Sequence, residues 1–367
     1  MGQPLRVGVV GAGKISGAYL STFPHLPQVA VTAVADLDAD RARAAVAEHP
    51  GARACTVEEL LAADDVDLVL NLTIPAAHAS VAHAALDAGK HVYGEKPLAL
   101  TTSEAAAVVQ AAETAGLRLG CAPDTVLGTG VQTARAAVEA GLVGTPVAAT
   151  AFMTTPGHER WHPDPEFYYR PGGGPLYDMG PYYLSALVHL LGPVRRVVGT
   201  SSRPRPLRTI GSGPRAGASF ESTVDTHVTG LLEHESGAVT TMVMSFDVWA
   251  AALPRIEVYG TDGSLSVPDP NYFDGDVRVF RAGAEEWETL PASAGYVGAG
   301  RGVGVADLAR SLAQGEPHRA SAGLALHVLD VMEALLEAAV DRVAREISTT
   351  CDSPALVGEQ LAATGTS

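Results

Sequence analysis

The chain has 367 residues and carries 25 Lys+Arg against 41 Asp+Glu, a formal net charge of −16. That acidity disfavours nucleic-acid backbones and anionic membrane surfaces as partners. A composition of 47% hydrophobic and 18% charged residues excludes a disordered or collagen-like chain.

At about 100–200 residues per domain, the length fits two domains, placed at 1–122 and 123–367. No apolar run approaches the ~18 residues of a membrane span. Met1 leads straight into LRVGVVGAG, so no secretory signal is expected. Cys55, Cys121 and Cys351 are widely spaced and form no CxxC, which fits a reducing cytoplasm and argues against a metal site. Only three of the 25 cations are lysines, Lys14, Lys90 and Lys96, so each use is informative.

In chain order, 5–10, 29–35, 66–73, 91–93 and 117–122 are apolar, mostly β-branched runs. They alternate with helical stretches at 38–48, 76–88 and 103–115. That rhythm predicts βαβ units and a parallel sheet with right-handed crossovers. After Ala122 it stops. A helix over 128–140 precedes strand-like runs at 147–153, 194–201, 223–232, 238–246, 254–259 and 277–280. Helices return at 303–314 and 321–345. The expectation is an α/β Rossmann domain followed by an α+β domain with a large, mostly antiparallel open sheet. Residues 203–217, rich in Pro, Gly and Arg, read as a mobile loop.

The first strand runs into Gly11-Ala12-Gly13-Lys14-Ile15-Ser16-Gly17. Gly11 permits a tight turn and Gly13 lets the backbone approach a pyrophosphate. Ser16 stands at the third-glycine position as a small residue. About twenty residues on, Asp36 ends strand two, where a carboxylate accepts the ribose hydroxyls and repels a 2′-phosphate. NAD is therefore expected over NADP. Two further segments lie beyond strand ends, where doubly wound sheets bind ligands. They are Asn71-Leu72-Thr73-Ile74-Pro75 with His78, and Gly94-Glu95-Lys96-Pro97. Asn71, Thr73 and His78 also suit helix capping with an exposed histidine. Lys96, held extended by the following proline, projects from the sheet's ligand edge.

In the second half, chemistry concentrates at 158–183. Gly172-Gly173-Gly174-Pro175 is a loop, and Gly180-Pro181 reads as a helix start. Asp178 then lies at or before that start, with Tyr182 in the first turn; an N-cap aspartate beside a core tyrosine is the alternative. His158, His162, Asp124, Tyr168 and Tyr169 are candidates to line a polyol pocket. His189 and His227 suit core or interface positions, and Arg301 is a weaker candidate for a ligand contact.

This motif set resembles the glucose–fructose oxidoreductase / inositol dehydrogenase / rhizopine catabolism (Gfo/Idh/MocA) family over nearly the whole chain. The resemblance implies that Lys96 reaches the reacting oxygen beside the nicotinamide, and that Asn71, Thr73, Pro75, His78, Glu95 and a cis Pro97 form the cofactor edge. Trp161-His162 is similar to a family Trp-Arg pair near the cofactor. The family's second-domain signature, GGG-x-x-x-D-x-G-x-H, is matched at Asp178 but has Tyr182 where the general acid/base histidine stands. Some relatives look as if they use tyrosine with the lysine. A phenol titrates near ~10, and an ammonium beside it favours the phenolate.

The implied activity is NAD-dependent hydride transfer at a ring carbon of a sugar, sugar derivative or cyclitol, with Lys96, Tyr182 and Asp178 catalytic. Two alternatives stay open: transient oxidation that enables glycoside cleavage or elimination, and a non-catalytic sensor. A homodimer or homotetramer is expected.

Overall fold

A computed structural model describes residues 3–358 and the backbone of 361–362. Its contacts divide the chain into two units, each taken by itself.

The first unit is built on six parallel strands: β1 (Leu5–Val10), β2 (Val29–Ala35), β3 (Arg53–Cys55), β4 (Leu68–Asn71), β5 (His91–Gly94) and β6 (Leu119–Cys121). Their order is β3-β2-β1-β4-β5-β6, the doubly wound arrangement, with the chain reversing direction across the sheet between β1 and β4. Helices α1 (Ser16–Thr22), α2 (Ala39–Val46), α3 (Val57–Ala62), α4 (His78–Asp87) and α5 (Thr102–Ala115) connect them. Strand burial is continuous: Val7, Val9, Leu68, Val69, Leu70, Val92 and Tyr93 are all at most 1% exposed. Helix layers on both faces require such uninterrupted apolar runs.

The α2–β4 interval holds two elements that the sequence pattern passes over, β3 and α3. β3 is only three residues long and α3 only six. Neither is long enough to show a period, and α3 is announced only by its Thr56/Glu59 capping box.

The second unit contains α6 (Thr129–Glu139), β7 (Pro146–Thr154), α7 (Gly174–Leu191), β8 (Val194–Ser202), β9 (Leu207–Thr209), β10 (Ser219–Glu221), β11 (His227–His234), β12 (Val239–Ser245), β13 (Ile256–Gly260), β14 (Gly263–Val267), β15 (Val277–Arg281) and β16 (Glu288–Leu290). Its main sheet runs β16-β15-β14-β13-β7-β12-β11-β8, ending on the two-residue strand Arg345–Glu346. Every pairing is antiparallel except β7 with β12. Alternate residues of β7, β11 and β12 are buried, as expected of a sheet covered on one face. Helix α7 packs there on β7, β11 and β12.

Two helices follow, α8 (Val303–Gln314) and α9 (Ala322–Asp341). The paired residues Gly199 and Gly230 make room for α9. A Cβ on Gly199 would lie 2.6 Å from the Leu335 carbonyl oxygen, and one on Gly230 2.5 Å from Leu335 Cδ1.

Three expectations are corrected. The 203–217 segment, expected as a mobile loop, supplies β9 to a short hairpin that β10 completes just beyond it, and Arg208 inside it is buried among carboxylates. Helix α7 begins at Gly174 with Pro175 in its first turn, and runs through Pro181. The rung that Pro181 cannot donate is lost without ending a helix buried from Gly180 to Leu191. Residues Ala294–Leu326, expected in the second domain, cluster with the first unit. Gly120 bridges to Ser321, and Asp124 accepts hydrogen bonds from the Gly302 and Gly304 amides. Among the described residues no helix is long and apolar enough to cross a membrane.

Candidate active site

In the first unit, Gly11 adopts φ 103°, and a Cβ there would meet the Leu72 carbonyl oxygen at 2.7 Å. Only glycine makes this turn without strain. A Cβ on Gly13 would meet nothing within 4 Å, so the backbone there borders open space, as a pyrophosphate cradle requires. Lys14 and Ile15 are exposed beside it, while Ser16 is buried with its hydroxyl donating to the Gly13 carbonyl. At the end of β2 the Asp36 carboxylate accepts from the Ala12 amide at 2.7 Å and the Asp38 amide at 2.8 Å. These two bonds fix an anion beside the turn before any ribose arrives.

Beyond β4, Asn71 accepts from the Thr73 hydroxyl at 2.6 Å and donates to the His78 carbonyl at 3.0 Å. His78 is buried, which removes the alternative of an exposed histidine. Its Nδ1 lies 2.6 Å from the Pro97 carbonyl oxygen and its Nε2 3.1 Å from that of Thr73, so it ties the β4 and β5 edges together. Pro75 is exposed and opens the single turn that leads from β4 into α4. The Lys96–Pro97 bond is cis, as the resemblance implies.

Glu95 is buried and fixed from two sides. The Lys96 amide donates to one carboxylate oxygen at 3.0 Å, and the Tyr19 hydroxyl donates to the other at 2.7 Å. Burial, and then the Glu95 charge, push the Tyr19 phenol well above its ordinary range, so it remains a donor. Tyr19 carries no motif signal because it sits in the middle of α1 like any core aromatic. Half-buried Lys96 follows this braced residue.

Asp124 does not line a pocket. It is fully buried, accepting from the Gly302 amide at 2.7 Å and the Gly304 amide at 3.2 Å, with Arg301 3.7 Å away. Burial raises its pKa, while Arg301 and the two amides pull it back. The pair Asp124–Arg301 thus fastens the start of α8 within the first unit.

In the second unit, Asp178 and Tyr182 are four residues apart on α7 and so lie on one face. Asp178 is 16% exposed and Tyr182 5%. His158 comes from the turn after β7, with Nε2 2.9 Å from Asp178 Oδ2. Its ring is walled by Phe246, Tyr168 and Trp161 at centroid distances of 4.4, 4.7 and 5.4 Å. His162 packs edge-on against Tyr168 and Trp161, and Trp161 is 53% exposed. His158, Trp161, His162, Tyr168 and Asp178 therefore form one polar-aromatic cluster.

Tyr169 lies behind it, fully buried, its hydroxyl bonded to Glu159. Glu159 pairs with Arg208, which also reaches Asp247 at 2.7 Å and Thr226 at 2.9 Å and stacks over the Tyr169 ring. Arg208, the largest fully buried side chain described, falls in a segment whose sequence reads as a loop. His189 is buried, and His227 hydrogen-bonds Ser245, as core positions do.

Comparisons with known proteins place both halves of the chain. Residues 5–122 match the oxidoreductase family with an NAD-binding Rossmann fold, and residues 131–266 the GFO/IDH/MocA C-terminal domain. The chain is 31% identical to 1,5-anhydro-D-fructose reductase of Ensifer adhaerens over 71% of its own length and 74% of that protein's. It is 30% identical to inositol 2-dehydrogenase 3 of Saccharopolyspora erythraea over 72% and 74%. Among solved structures, levoglucosan dehydrogenase in complex with NADH and levoglucosan shares the fold at TM-score 0.79 and 21% identity, covering 95% of this chain and all of that one. The chain belongs to the Gfo/Idh/MocA family of NAD-binding oxidoreductases.

Proposed function

We propose that this family member transfers hydride between NAD and a ring carbon of a sugar, sugar derivative or cyclitol, interconverting alcohol and ketone. The observation that carries this reading is the chemistry of the second unit. A carboxylate and a phenol share one helix face, with the carboxylate bonded to an aromatic-walled imidazole, a surface that suits a polyol. The names of the matched relatives, a sugar reductase and a cyclitol dehydrogenase, support it.

The first unit's own geometry fits the dinucleotide: open space at Gly13, the tight glycine turn at Gly11 and the fixed anion at Asp36. The bound nicotinamide supplies or accepts the hydride. Trp161 and the Asn71, Thr73, Pro75, His78 edge are assigned to the cofactor side, and His158, His162 and Tyr168 to the substrate. Lys96 stabilises negative charge on the reacting oxygen. Tyr182 removes the proton there, or returns it during reduction, and Asp178 orients the substrate. Asp36 selects NAD over NADP.

We further propose a cytoplasmic homodimer or homotetramer. The three free cysteines suit a reducing compartment, and the sheet face turned away from α7 exposes Val198, Leu231 and Val239. Light scattering reads the oligomer directly.

A screen of sugars and cyclitols with NAD and NADP, following cofactor absorbance, identifies the substrate. Tyr182→Phe and Lys96→Ala should then each lower kcat about 10²–10⁴-fold while NADH binding stays nearly intact. Full turnover by Tyr182→Phe would sink the assignment.

A further inference from the structure

Asp178 is asked to orient a substrate, so its own carboxylate must be held. Helix α7 offers no imidazole within a turn of it: position 182 is tyrosine, and the helix's histidine, His189, is buried three turns on. The imidazole comes from another segment. His158 Nε2 stands 2.9 Å from Asp178 Oδ2, and both side chains are largely buried, at 12% and 16% exposure.

A carboxylate accepts only, so Nε2 carries the hydrogen and the tautomer follows from the network. The ring is confined by Phe246, Tyr168 and Trp161. The backbone is confined as well. The His158 amide donates to the Tyr169 hydroxyl at 3.1 Å, and that hydroxyl is bonded to Glu159, itself paired with Arg208. The arginine cluster therefore sets where the imidazole stands, and the imidazole sets where the Asp178 oxygen stands.

A second observation separates this pair from ordinary packing. His158 Nδ1 is buried and takes no hydrogen bond from the chain. Buried polar atoms are ordinarily satisfied, and one left unmet is costly, so it calls for an explanation outside fold stability. A histidine retained only to fasten the 158–170 segment would gain from an apolar replacement of the same size.

We infer that His158 is a positioning residue for Asp178. It holds the carboxylate through Nε2–H in the orientation that presents the substrate hydroxyl for proton transfer. This rests on the hydride-transfer reading above, in which Asp178 touches substrate.

Two variants separate the donor from the packing. His158→Gln places an amide N–H near the Nε2 position, whereas His158→Leu fills the same space without a donor. The experiment measures kcat, KM, NADH affinity and melting temperature for wild type and both variants on the best substrate from the screen. His158→Leu should lose about 10²-fold in kcat/KM, as misplaced catalytic groups do, with NADH affinity unchanged. His158→Gln, which keeps a donor, should recover at least about tenfold of that loss on the same grounds. Near-wild-type turnover by His158→Leu, or equal losses in both variants at unchanged melting temperature, would overturn the inference.

Imidazole ¹⁵N spectra of wild type and Asp178→Asn keep the two readings apart. The Nε2–H signal should shift in Asp178→Asn, and an unmoved signal refutes the pairing whatever the kinetics. Turnover of no sugar or cyclitol by wild type, with the signal shifting as expected, brings down the redox reading and leaves the pairing standing.

Discussion

The two candidate ligand regions are built on opposite plans. In the first unit, functional groups are set largely by backbone beside them: Gly11 by its turn, Asp36 by the Ala12 and Asp38 amides, Glu95 by the amide of Lys96. In the second unit, side chains hold side chains from far along the chain. Asp178 is held by His158 twenty residues earlier, and Arg208 joins Glu159 to Asp247 across 49 and 39 residues. A site built from backbone is compact in sequence and tolerant of its surroundings. One built from remote buried charges is only as ordered as the whole network.

The contrast is most directly broken at Arg208. Arg208→Ala leaves Glu159 buried without its cation, while Asp247 keeps Arg205 at 2.9 Å, a defect that costs about 3–5 kcal/mol. Urea unfolding should show that loss, and a drop below about 1 kcal/mol would mean that the cluster is not what orders the segment.

Acid should expose the same dependence on buried side chains. Burial depresses His234 to about 4 and also lowers His327, both in the second unit. A base with a depressed folded pKa binds fewer protons folded than unfolded between the two values. Stability is therefore full above the unfolded pKa of about 6.5 and falls as pH drops towards 4, by about 3 kcal/mol at most from His234. Thermal melts across that window should show the decline, and His234→Gln should flatten it.

The smallest effect sharpens the other side of the comparison. Gly11→Ala forces a Cβ towards the Leu72 carbonyl at positive φ, costing about 1–3 kcal/mol. Calorimetry should also show NADH affinity falling at least tenfold, since the turn itself forms the binding surface. Unchanged NADH affinity would separate the turn from the cofactor.

This difference in plan explains what is legible in the sequence. The main sheet of the first unit has six parallel strands, and five of them announce themselves by apolar runs. Gly11, Gly13, Asp36 and Lys96 stand out by their spacing from strand ends. β3 and α3 are too short to show a period. In the second unit the GGG-Pro loop and Asp178 are conspicuous, but Pro181 draws the expected helix start too far along the chain. Proline's preference for a first turn outweighs, on paper, the buried helix that carries it. Arg208 hides in a segment whose Pro and Gly content reads as a loop. The partner of His158 is unreadable because a hydrogen bond between distant residues leaves no pattern. Asp124 reads as a ligand contact because aspartates after strands serve there; here it is buried, with two glycine amides some 180 residues later bonded to its Oδ2.

That last contact has a consequence for synthesis. The first unit is not contiguous: the chain leaves it at Thr129 and returns at Ala294. A nascent chain that has just completed β6 lacks the amides of Gly302 and Gly304, so Asp124 has yet to meet the groups that hold it. At about 5–20 residues per second the ribosome needs on the order of ten seconds to supply them. The dinucleotide-binding sheet therefore comes off the ribosome first and is sealed late. A chain cut at residue 122 would retain the cofactor motifs of the parallel sheet and lack the segment that closes the unit.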